Sequence, residues 1–395
     1  MTKLEQLIKE LCPNGVDYIP INKCIEKTEK INWKSETNSF QYIDLTSVDR
    51  DTHLIEDTIT INAENAPSRA QQIVLKNDIL LGTTRPMLKR YCIIPADYNN
   101  QICSTGFCVL RAKTSVVLTR WLFHNISSTA FFVHVEKNQQ GASYPAIAEK
   151  DVKSFKIPVP PLEVQAEIVK ILDNFTELTA ELTAELTARK KQYEYYRDLL
   201  LDFGVHGGGT SECEWRTIKE IAENCDSKRK PVTKGKRTSG IYPYYGASGI
   251  VDYVDDYLFD GDYLLISEDG ANLLARSTPI AFSISGKNWV NNHAHVLRFD
   301  TYVTRRFVEI YLNSINLEKY ISTAAQPKLT QDNLNKIPIP YPTIEEQTRI
   351  VNILDRFDKL CNDISEGLPA EIEARRKQYE YYRDKLLSFE ERNNA

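Results

Sequence analysis

Part of the chain is repeated within it, and this repeat constrains the fold more than any other feature of the sequence. At a shift of 182 residues, the segment 157–178 aligns without a gap on 339–360, with identical residues at about half of the positions, among them Pro158, Glu163, Ile168 and Leu172. At a shift of 186 residues, the string KQYEYYRD at 191–198 recurs letter for letter at 377–384. Matches of this length do not arise by chance, so the chain contains two copies of one structural unit.

Each copy predicts a long helix that begins after a proline-rich stretch. The strings IPVPP and IPIPYP cannot be helical, because each proline removes a donor and forces its predecessor into extended geometry. From Glu163 and Glu345 onward, apolar residues recur at helical spacing, which predicts an amphipathic helix that packs against a partner. In the second copy, Gly367 and Pro369 predict a break in the helix.

The apolar positions of these helices form a candidate seam along which they would pair. The tetrapeptide TAEL occurs twice in tandem, at 179–186, and continues a four-residue spacing of leucines that the second copy keeps with one additional position. An ordinary coiled coil satisfies this pattern. A second hypothesis is a ruler, because four residues lengthen a helix by about 6 Å and rotate its end by about 40° beyond one turn. The candidate seam residues are Leu172, Phe175, Leu178, Leu182, Leu186, Leu354, Phe357, Leu360, Ile364, Leu368 and Ile372.

Two unlike segments alternate with the helices. Both are rich in Ile, Val, Tyr and Thr and carry frequent Gly, Asn and Asp turns, which predicts several short strands in each. We therefore predict an α+β fold in which two globular mixed α/β domains are separated by two long antiparallel coiled-coil helices, with a pseudo-two-fold internal repeat. The predicted boundaries are 1–156 for the first domain, 157–204 for the central helix, 205–336 for the second domain and 337–395 for the C-terminal helix.

Composition and missing motifs narrow the possible functions. The net charge of −5 argues against nonspecific coating by nucleic acid, so any nucleic-acid surface is local. No apolar run approaches the ~18–20 residues that span a bilayer, and the eight cysteines form no CxxC pair, which favours a reduced, cytoplasmic protein. His293 and His295 lack further ligands, so we expect no metal site. Neither a phosphate-loop motif nor an Asn-Pro-Pro-[Tyr/Phe] string is present, and we expect no cofactor and no catalysis in this chain.

Basic and polar side chains are the candidates for contact with DNA, because phosphate neutralisation needs local positive charge. The densest basic stretch opens the second domain with six positive residues in ten positions, and tyrosines follow it. The alternative interpretation is that the basic residues lie on a solvated loop and that the tyrosines are buried in the core. The candidates in the second domain are Lys228, Arg229, Lys230, Lys234, Lys236, Arg237, Tyr244 and Tyr245.

Four basic residues are the matching candidates in the first domain. An arginine can contact guanine through two hydrogen bonds, although a salt bridge or a phosphate contact is the simpler explanation for any single one. Polar residues also stand on loops just before the proline-rich stretches, where a turn that only positions the chain is the alternative. These candidates are Arg69, Arg85, Lys89 and Arg90, with the loop residues Ser143, Tyr144, Gln326 and Lys328.

The order of variable domain, similar helix, variable domain and similar helix resembles the specificity subunits of type I restriction-modification enzymes. The resemblance covers essentially the whole chain, and TAEL and KQYEYYRD look similar to the family's spacer regions. Five local strings also support it: APSRA at 66–70, STGF at 104–107, PYYG at 243–246, WVNNHAH at 289–295 and AQPKL at 325–329.

The resemblance implies that the two domains are target recognition domains, each reading one half of a bipartite double-stranded DNA site. It also implies that the helices set the gap between the half-sites and bind two methyltransferase (modification) subunits. S-adenosylmethionine, ATP and Mg would then belong to partner subunits, with restriction subunits present in the complete enzyme. Two alternatives are a methyltransferase or nuclease acting alone, which the missing motifs oppose, and a non-catalytic coiled-coil scaffold that presents two domains to proteins or glycans. The basic stretch and the resemblance argue against the scaffold.

Overall fold

Each of the two unlike segments forms a compact unit together with parts of the long helices. In the computed structural model, unit 1 comprises residues 1–184 and 370–395, and unit 2 comprises residues 185–369. The structure describes residues 2–204, 213–270, 272–322 and 326–392. The predicted start of the second domain at residue 205 lies outside these residues.

Short strands and helices alternate up to residue 200. The helices are α1 (Lys3–Leu11), α2 (Ile21–Cys24), α3 (Thr119–Ile126), α4 (Thr129–Asn138), α5 (Glu149–Ser154) and α6 (Leu162–Leu200). The strands are β1 (Asp17–Pro20), β2 (Ile25–Glu26), β3 (Phe40–Ile43), β4 (Ile59–Ile61), β5 (Ala70–Val74), β6 (Ile79–Gly82), β7 (Tyr91–Ile93), β8 (Gln101–Ser104), β9 (Phe107–Ala112) and β10 (Lys156–Val159).

The remainder of the chain has a similar succession of elements. The helices are α7 (Ile218–Ile221), α8 (Asn272–Ala275), α9 (Tyr302–Ser314), α10 (Gln331–Asn335), α11 (Ile344–Asn362) and α12 (Leu368–Leu386). The strands are β11 (Glu214–Thr217), β12 (Glu223–Asn224), β13 (Ser239–Gly246), β14 (Gly249–Val254), β15 (Phe259–Asp260), β16 (Tyr263–Ser267), β17 (Ala281–Ile284), β18 (Lys287–Val290), β19 (Ala294–Arg298) and β20 (Pro338–Tyr341).

The strands of the two units have the same topology. Unit 1 contains sheets of order β4-β3-β8-β5 and β2-β9-β6-β7, and unit 2 contains sheets of order β14-β13-β18-β15 and β12-β19-β16-β17. In each unit the middle pair of the first sheet is parallel, β3 with β8 and β13 with β18. The α+β fold class is therefore confirmed, and the two domains whose sequences look unlike share one framework, strand by strand.

The proline-rich stretches are strands, and both long helices begin directly after them, as predicted. Strand β10 pairs with β1 and strand β20 with β11, each as a two-stranded antiparallel ladder. Proline is tolerated there because an edge strand does not need every N–H for the ladder. Helix α6 begins at Leu162 and α11 begins at Ile344 after the N-cap Thr343, each one residue before the predicted Glu163 and Glu345.

A break separates α11 from α12 at the predicted glycine. A Cβ on Gly367 would lie 2.6 Å from the carbonyl oxygens of Lys359 and Asp363, so this turn accepts only glycine. Ile364 falls inside the break and is 87% exposed, which removes it from the predicted seam. The four-residue spacing of apolar residues continues in the sequence through this segment, although the segment is not helical. Cys361, at the end of α11, is buried in place of Ile364.

The rest of the seam mixes core packing with aromatic stacking. Phe175 stacks on Tyr382 with ring centroids 5.5 Å apart, and Phe357 stacks on Tyr196 at 5.8 Å, so tyrosines of both KQYEYYRD copies cover the seam. Among the other seam residues, Leu172 and Leu354 are fully buried in the domain cores, Leu368 and Ile372 are buried, Leu182 and Leu186 are half-buried, and Leu178 and Leu360 are exposed.

Polar contacts at equivalent positions join each domain to its long helices. In unit 1, His124 of α3 bonds Asp173 of α6 through Nε2 and the Tyr379 hydroxyl of α12 through Nδ1, both at 2.9 Å. Burial lowers the pKa of His124, although the bond to Asp173 opposes this. In unit 2, the position of His124 is occupied by Arg306, which donates to Asp355 and Asp358 of α11. The same junction is thus built around an imidazole in one unit and around a permanent charge in the other.

Candidate nucleic-acid interface

Loops of unit 1 meet at the carboxyl ends of strands β6 and β8, and we call these loops the loop edge of unit 1. The amide of Thr105 donates to the carbonyl of Arg69 at 2.9 Å, and the amide of Thr83 donates to the carbonyl of Gly106 at 2.8 Å. The segment before the first proline-rich stretch joins them, because the amide of Arg85 donates to the carbonyl of Pro145 at 2.7 Å. Backbone hydrogen bonds therefore bring together loops that are distant in sequence.

The loop edge of unit 1 carries four of the six residues predicted in the first domain: Arg69, Arg85, Ser143 and Tyr144. All four are exposed. The guanidinium carbon of Arg85 lies 4.3 Å from the centroid of the Tyr144 ring, which is itself 70% exposed. This edge presents arginine and aromatic groups to solvent from a backbone that hydrogen bonds hold in place.

Lys89 and Arg90 follow the same turn but lie against the body of unit 1. The ammonium of Lys89 lies 5.1 Å from the centroid of Phe132, a buried ring of α4. The guanidinium of Arg90 donates to the carbonyl of Val48. Arg90 therefore serves the fold, whereas Lys89 is exposed and packs its stem on an aromatic surface.

The same loops meet in unit 2 through matching hydrogen bonds, and we call them the loop edge of unit 2. The amide of Glu268 donates to the carbonyl of His293 at 2.9 Å, as Thr83 does to Gly106 in unit 1. The amide of Leu329 donates to the carbonyl of Glu268 at 2.8 Å, as Ile147 does to Thr83. Gln326 and Lys328 are exposed on the loop held in this way.

A buried network of charges supports the loop edge of unit 2. Arg229 forms ion pairs with both Asp226 and Glu268, and Lys328 reaches Glu268 at 2.9 Å. His295 contacts Asp226 through Nδ1 at 2.6 Å and the carbonyl of Leu329 through Nε2 at 2.8 Å. The network connects the basic stretch to the loop that carries Gln326 and Lys328.

The charges of this network compensate one another. Burial disfavours the ionised form of Asp226, but hydrogen bonds and charges from His295, Val296 and Arg229 outweigh it and lower the pKa of the carboxyl group. Burial likewise disfavours ionised Glu268, and the hydrogen bonds from Arg229 and Lys328 lower its pKa. Both carboxylates therefore stay ionised at neutral pH and hold their cations.

Within the described residues, one group has the composition of a metal site. Ligand atoms of Asp226, Glu268 and His295 lie within 4.8 Å of one another. However, the guanidinium of Arg229 and the ammonium of Lys328 already neutralise the two carboxylates. An additional divalent cation would have to displace them, so the arrangement fits an ion-pair network and not a metal centre.

The basic stretch divides into structural arginines and exposed lysines. Arg229 belongs to the buried network, and Arg237 pairs with Asp252 at 2.9 Å while lying 4.2 Å from the centroid of Tyr244. Both arginines were predicted to contact DNA, but in the structure their guanidinium groups are already paired with carboxylates of unit 2. The exposed members are Lys228, Lys230, Lys234 and Lys236.

The two candidate tyrosines lie in the core and do not form a stacking surface. Tyr244 is 1% exposed, its hydroxyl accepts from the amide of Val232, and its ring stacks on Trp289. Tyr245 is half-buried against Phe282. The prediction of DNA contact is wrong for Tyr244, because the alternation of β13 directs its ring into unit 2.

Sequence reasoning missed the acidic half of the network. Glu268 was not among the candidate residues, and Asp226 lies only three positions before Arg229. The available signal was the presence of acidic residues beside a basic cluster, which indicates internal pairing as readily as phosphate binding. The partner 39 residues away, Glu268, needed the fold to be seen.

The family described as "Type I restriction modification DNA specificity domain" matches this chain twice, at residues 8–189 and 210–374. A putative type I restriction enzyme specificity subunit of Haemophilus influenzae is 41% identical over 189 residues, which cover 47% of this chain and 49% of that protein. A putative type I specificity subunit of Mycoplasma pneumoniae is 34% identical over 59% of this chain and 97% of its own length. The EcoprrI specificity subunit of Escherichia coli is 30% identical over 93% of both chains.

Two solved structures share the fold. A chain in a structure of the assembly and conformational transition of the type I R-M system superposes with a TM-score of 0.62 at 22% identity, over 95% of this chain and 98% of that one. The S subunit of a type I restriction-modification system from M. genitalium superposes with a TM-score of 0.57 at 16% identity, over 94% and 96%. In the described residues, no helix is both long and apolar enough to cross a membrane.

Proposed function

The chain belongs to the family of type I restriction-modification DNA specificity subunits, and from this premise we propose that it reads a bipartite double-stranded DNA site and assembles the modification subunits around it. The specificity subunit is the non-catalytic member of such systems. The observation that carries the proposal is that both units build a loop edge from matching backbone hydrogen bonds but fill it with different side chains. Two domains with one backbone framework but different side chains at the loop edge are suited to recognise two different short DNA sequences.

Each unit offers a different set of groups to the DNA. Unit 1 presents Arg69, Arg85 and Tyr144. Unit 2 presents Gln326 and Lys328, which is paired with Glu268, and the exposed lysines of 228–236 belong to the same unit. Lysines supply charge to phosphates without regard to sequence, whereas side chains at loop edges can reach base edges. We infer that the lysines contribute affinity and that the two loop edges contribute specificity.

We also infer that two identical partner subunits bind the duplicated face of the long helices. Tyr195 and Tyr381, at the same place in the two KQYEYYRD copies, are 64% and 62% exposed, and Tyr196 and Tyr382 are both 37% exposed. Because these tyrosines are exposed, packing within the chain does not explain why the two copies carry the same residue at these positions. Exposed tyrosines commonly dominate the energetics of protein interfaces, so two equal faces suit two copies of one partner.

Tyr195→Ala and Tyr381→Ala each remove one aromatic anchor and are expected to release one of the two modification subunits. The double variant is expected to retain none. Native mass spectrometry of the co-purified complex measures the stoichiometry, and Tyr253→Ala, which removes a 49% exposed tyrosine from β14, is the control. A double variant that keeps two modification subunits contradicts this assignment.

The cofactors follow from the division of labour between the subunits. We propose that S-adenosylmethionine binds in the modification subunits, that ATP and Mg act in restriction subunits where these are present, and that the assembly works on DNA in the cytoplasm. The specificity chain then contributes recognition and geometry, and the methyl transfer to adenine takes place in its partners.

The test is to co-express the chain with the modification subunit of the same operon and to map methylated adenines by single-molecule sequencing. One split motif with an unread centre is the expected result. A complex that methylates without a split motif would remove the two-reader proposal. Failure of the chain to bind any modification subunit would favour a scaffold for other proteins or glycans.

A further inference from the structure

We propose that Arg85, stacked on Tyr144, reads a guanine in the half-site recognised by unit 1. This inference rests on the proposed function and adds to it the chemical identity of one base and the residue that selects it. It follows from how the arginine is held, from which of its hydrogen-bond donors remain free, and from what replaces it in unit 2.

The backbone of Arg85 is fixed at the loop edge. Its amide donates to the carbonyl of Pro145 at 2.7 Å, and its φ of 49° places it in the left-handed region immediately before Pro86. On the other side of the same loop, Ala146 forms β-bridges with Thr84 and with Gln140. The side chain therefore leaves the protein from a defined position, and Tyr144 next to Pro145 provides its resting surface.

The stack on Tyr144 orients the guanidinium without using its donors. The guanidinium carbon lies 4.3 Å from the ring centroid, which is the geometry of a cation–π contact, and the tyrosine is 70% exposed. Such a contact occupies one planar face of the guanidinium. The N–H groups lie in the plane and remain available to a ligand that approaches edge-on.

The described residues offer Arg85 no carboxylate partner, whereas several other arginines of the domains form ion pairs. Arg229 and Arg237 pair with carboxylates in unit 2, as does Arg111 with Asp78 in unit 1. A free, planar fork matches the O6 and N7 acceptors of guanine in the major groove. The same fork can bind a phosphate through two hydrogen bonds, so the distinction between base and phosphate is made by the sequence selectivity measured below.

The Arg–Tyr pair is specific to unit 1, whereas the framework around it is not. The bridge between Thr84 and Ala146 recurs in unit 2 as the bridge between Asp269 and Lys328. At the positions that correspond to Arg85 and Tyr144, unit 2 carries Gly270 and Gln326. A residue needed for folding would recur with its framework, but a residue that selects a base differs between two readers of different sequences.

The test is methylation-motif mapping with the co-expressed complex carrying single substitutions. Arg85→Ala and Arg85→Lys are both expected to relax one G·C position in one half-site, with a loss of discrimination of about 5- to 150-fold. Lysine keeps the positive charge but lacks the planar guanidinium with its two parallel donors. If lysine fails to restore specificity, the contact depends on the guanidinium geometry and not on charge alone. Arg50→Ala, which removes an exposed arginine beside Asp51, is the matched control.

Three results would overturn the inference while leaving the proposed function intact. One is an unchanged motif with methylation reduced at all sites, which indicates a phosphate contact. The second is relaxation at an A·T position, and the third is an Arg85→Lys variant with wild-type specificity. If the unmodified complex shows no split motif, the proposed function fails instead, so the two failures are distinguishable.

Discussion

Replacing Arg229 with methionine is expected to destabilise unit 2 by about 3–5 kcal/mol, because it leaves two buried carboxylates without their shared cation. The side chains of Arg229, Asp226 and Glu268 are only 14%, 7% and 10% exposed. Water cannot replace the guanidinium at such depth. Hydrogen exchange measured by mass spectrometry on the assembled complex reports the opening free energy of each unit, and the decrease is expected in peptides of unit 2 alone.

The charge network predicts how this variant can be rescued. Adding Asp226→Asn and Glu268→Gln to the methionine variant removes the uncompensated charges and is expected to restore part of the stability. Arg298→Met is the matched control, since Arg298 is 65% exposed and lies 3.8 Å from Glu223, an ion pair worth less than about 1 kcal/mol. If the Arg229 variant keeps the wild-type protection of unit 2 against hydrogen exchange, the charge network does not stabilise the fold of that unit.

The same substitution is expected to affect recognition in one half-site only. His295 contacts both Asp226 and the carbonyl of Leu329, so the loop that carries Gln326 and Lys328 depends on the network. Loosening this loop is expected to relax the half-site read by unit 2 and to leave the half-site read by unit 1 unchanged. Mapping the methylation motif of the variant complex measures the specificity at both half-sites.

Deleting one TAEL unit, residues 183–186, is expected to abolish methylation at the original sites and to create sites whose gap is about one base pair shorter. Helix α6 runs without interruption through both TAEL units, and the division between units 1 and 2 falls within the second of them. Removing four residues shortens a helix by about 6 Å and rotates its end by about 40°. That rotation is close to one step of DNA with ~10–10.5 base pairs per turn.

Two variants test whether helix length causes the change in gap. Glu181→Ala with Glu185→Ala alters the same segment at constant length and is expected to keep the original gap, although it removes the surface pair of Glu185 with Arg189. Inserting a third TAEL unit is expected to lengthen the gap by about one base pair. Motif mapping reads both outcomes, and a deletion variant that still methylates the original sites would disprove the ruler hypothesis.

The repeat, the long helices and the break at Gly367 could be predicted because they depend on local rules. Proline excludes helix, leucine spacing indicates an amphipathic face, and glycine followed by proline ends a helix. The same rules failed at Ile364, where the leucine spacing continued into a turn. Periodicity describes which residues could share a face, but not whether the backbone is helical at each of them.

The candidate interface was less predictable because it depends on contacts that are distant in sequence. A cluster of basic residues does not reveal that Arg229 has a partner at Glu268 or that Arg237 has one at Asp252. The common framework of the two domains was also hidden, because strands of two to eight residues carry few constrained positions between loops that differ. Arg69, Arg85 and Tyr144 were identifiable as candidates, but only the fold places them together.

The matching backbone bonds at the two loop edges have a consequence for how new DNA specificities can arise. The loop at 140–147 is anchored through main-chain groups of Thr83 and Arg85, and the segment 326–329 through the carbonyl of Glu268. Main-chain anchors do not depend on the side chains that they hold, although in unit 2 the ion pair of Lys328 with Glu268 adds a side-chain anchor. On the proposed function, we therefore expect the loops to behave as interchangeable cassettes, so that exchanging one would change the half-site read by its unit without rebuilding the protein that carries it.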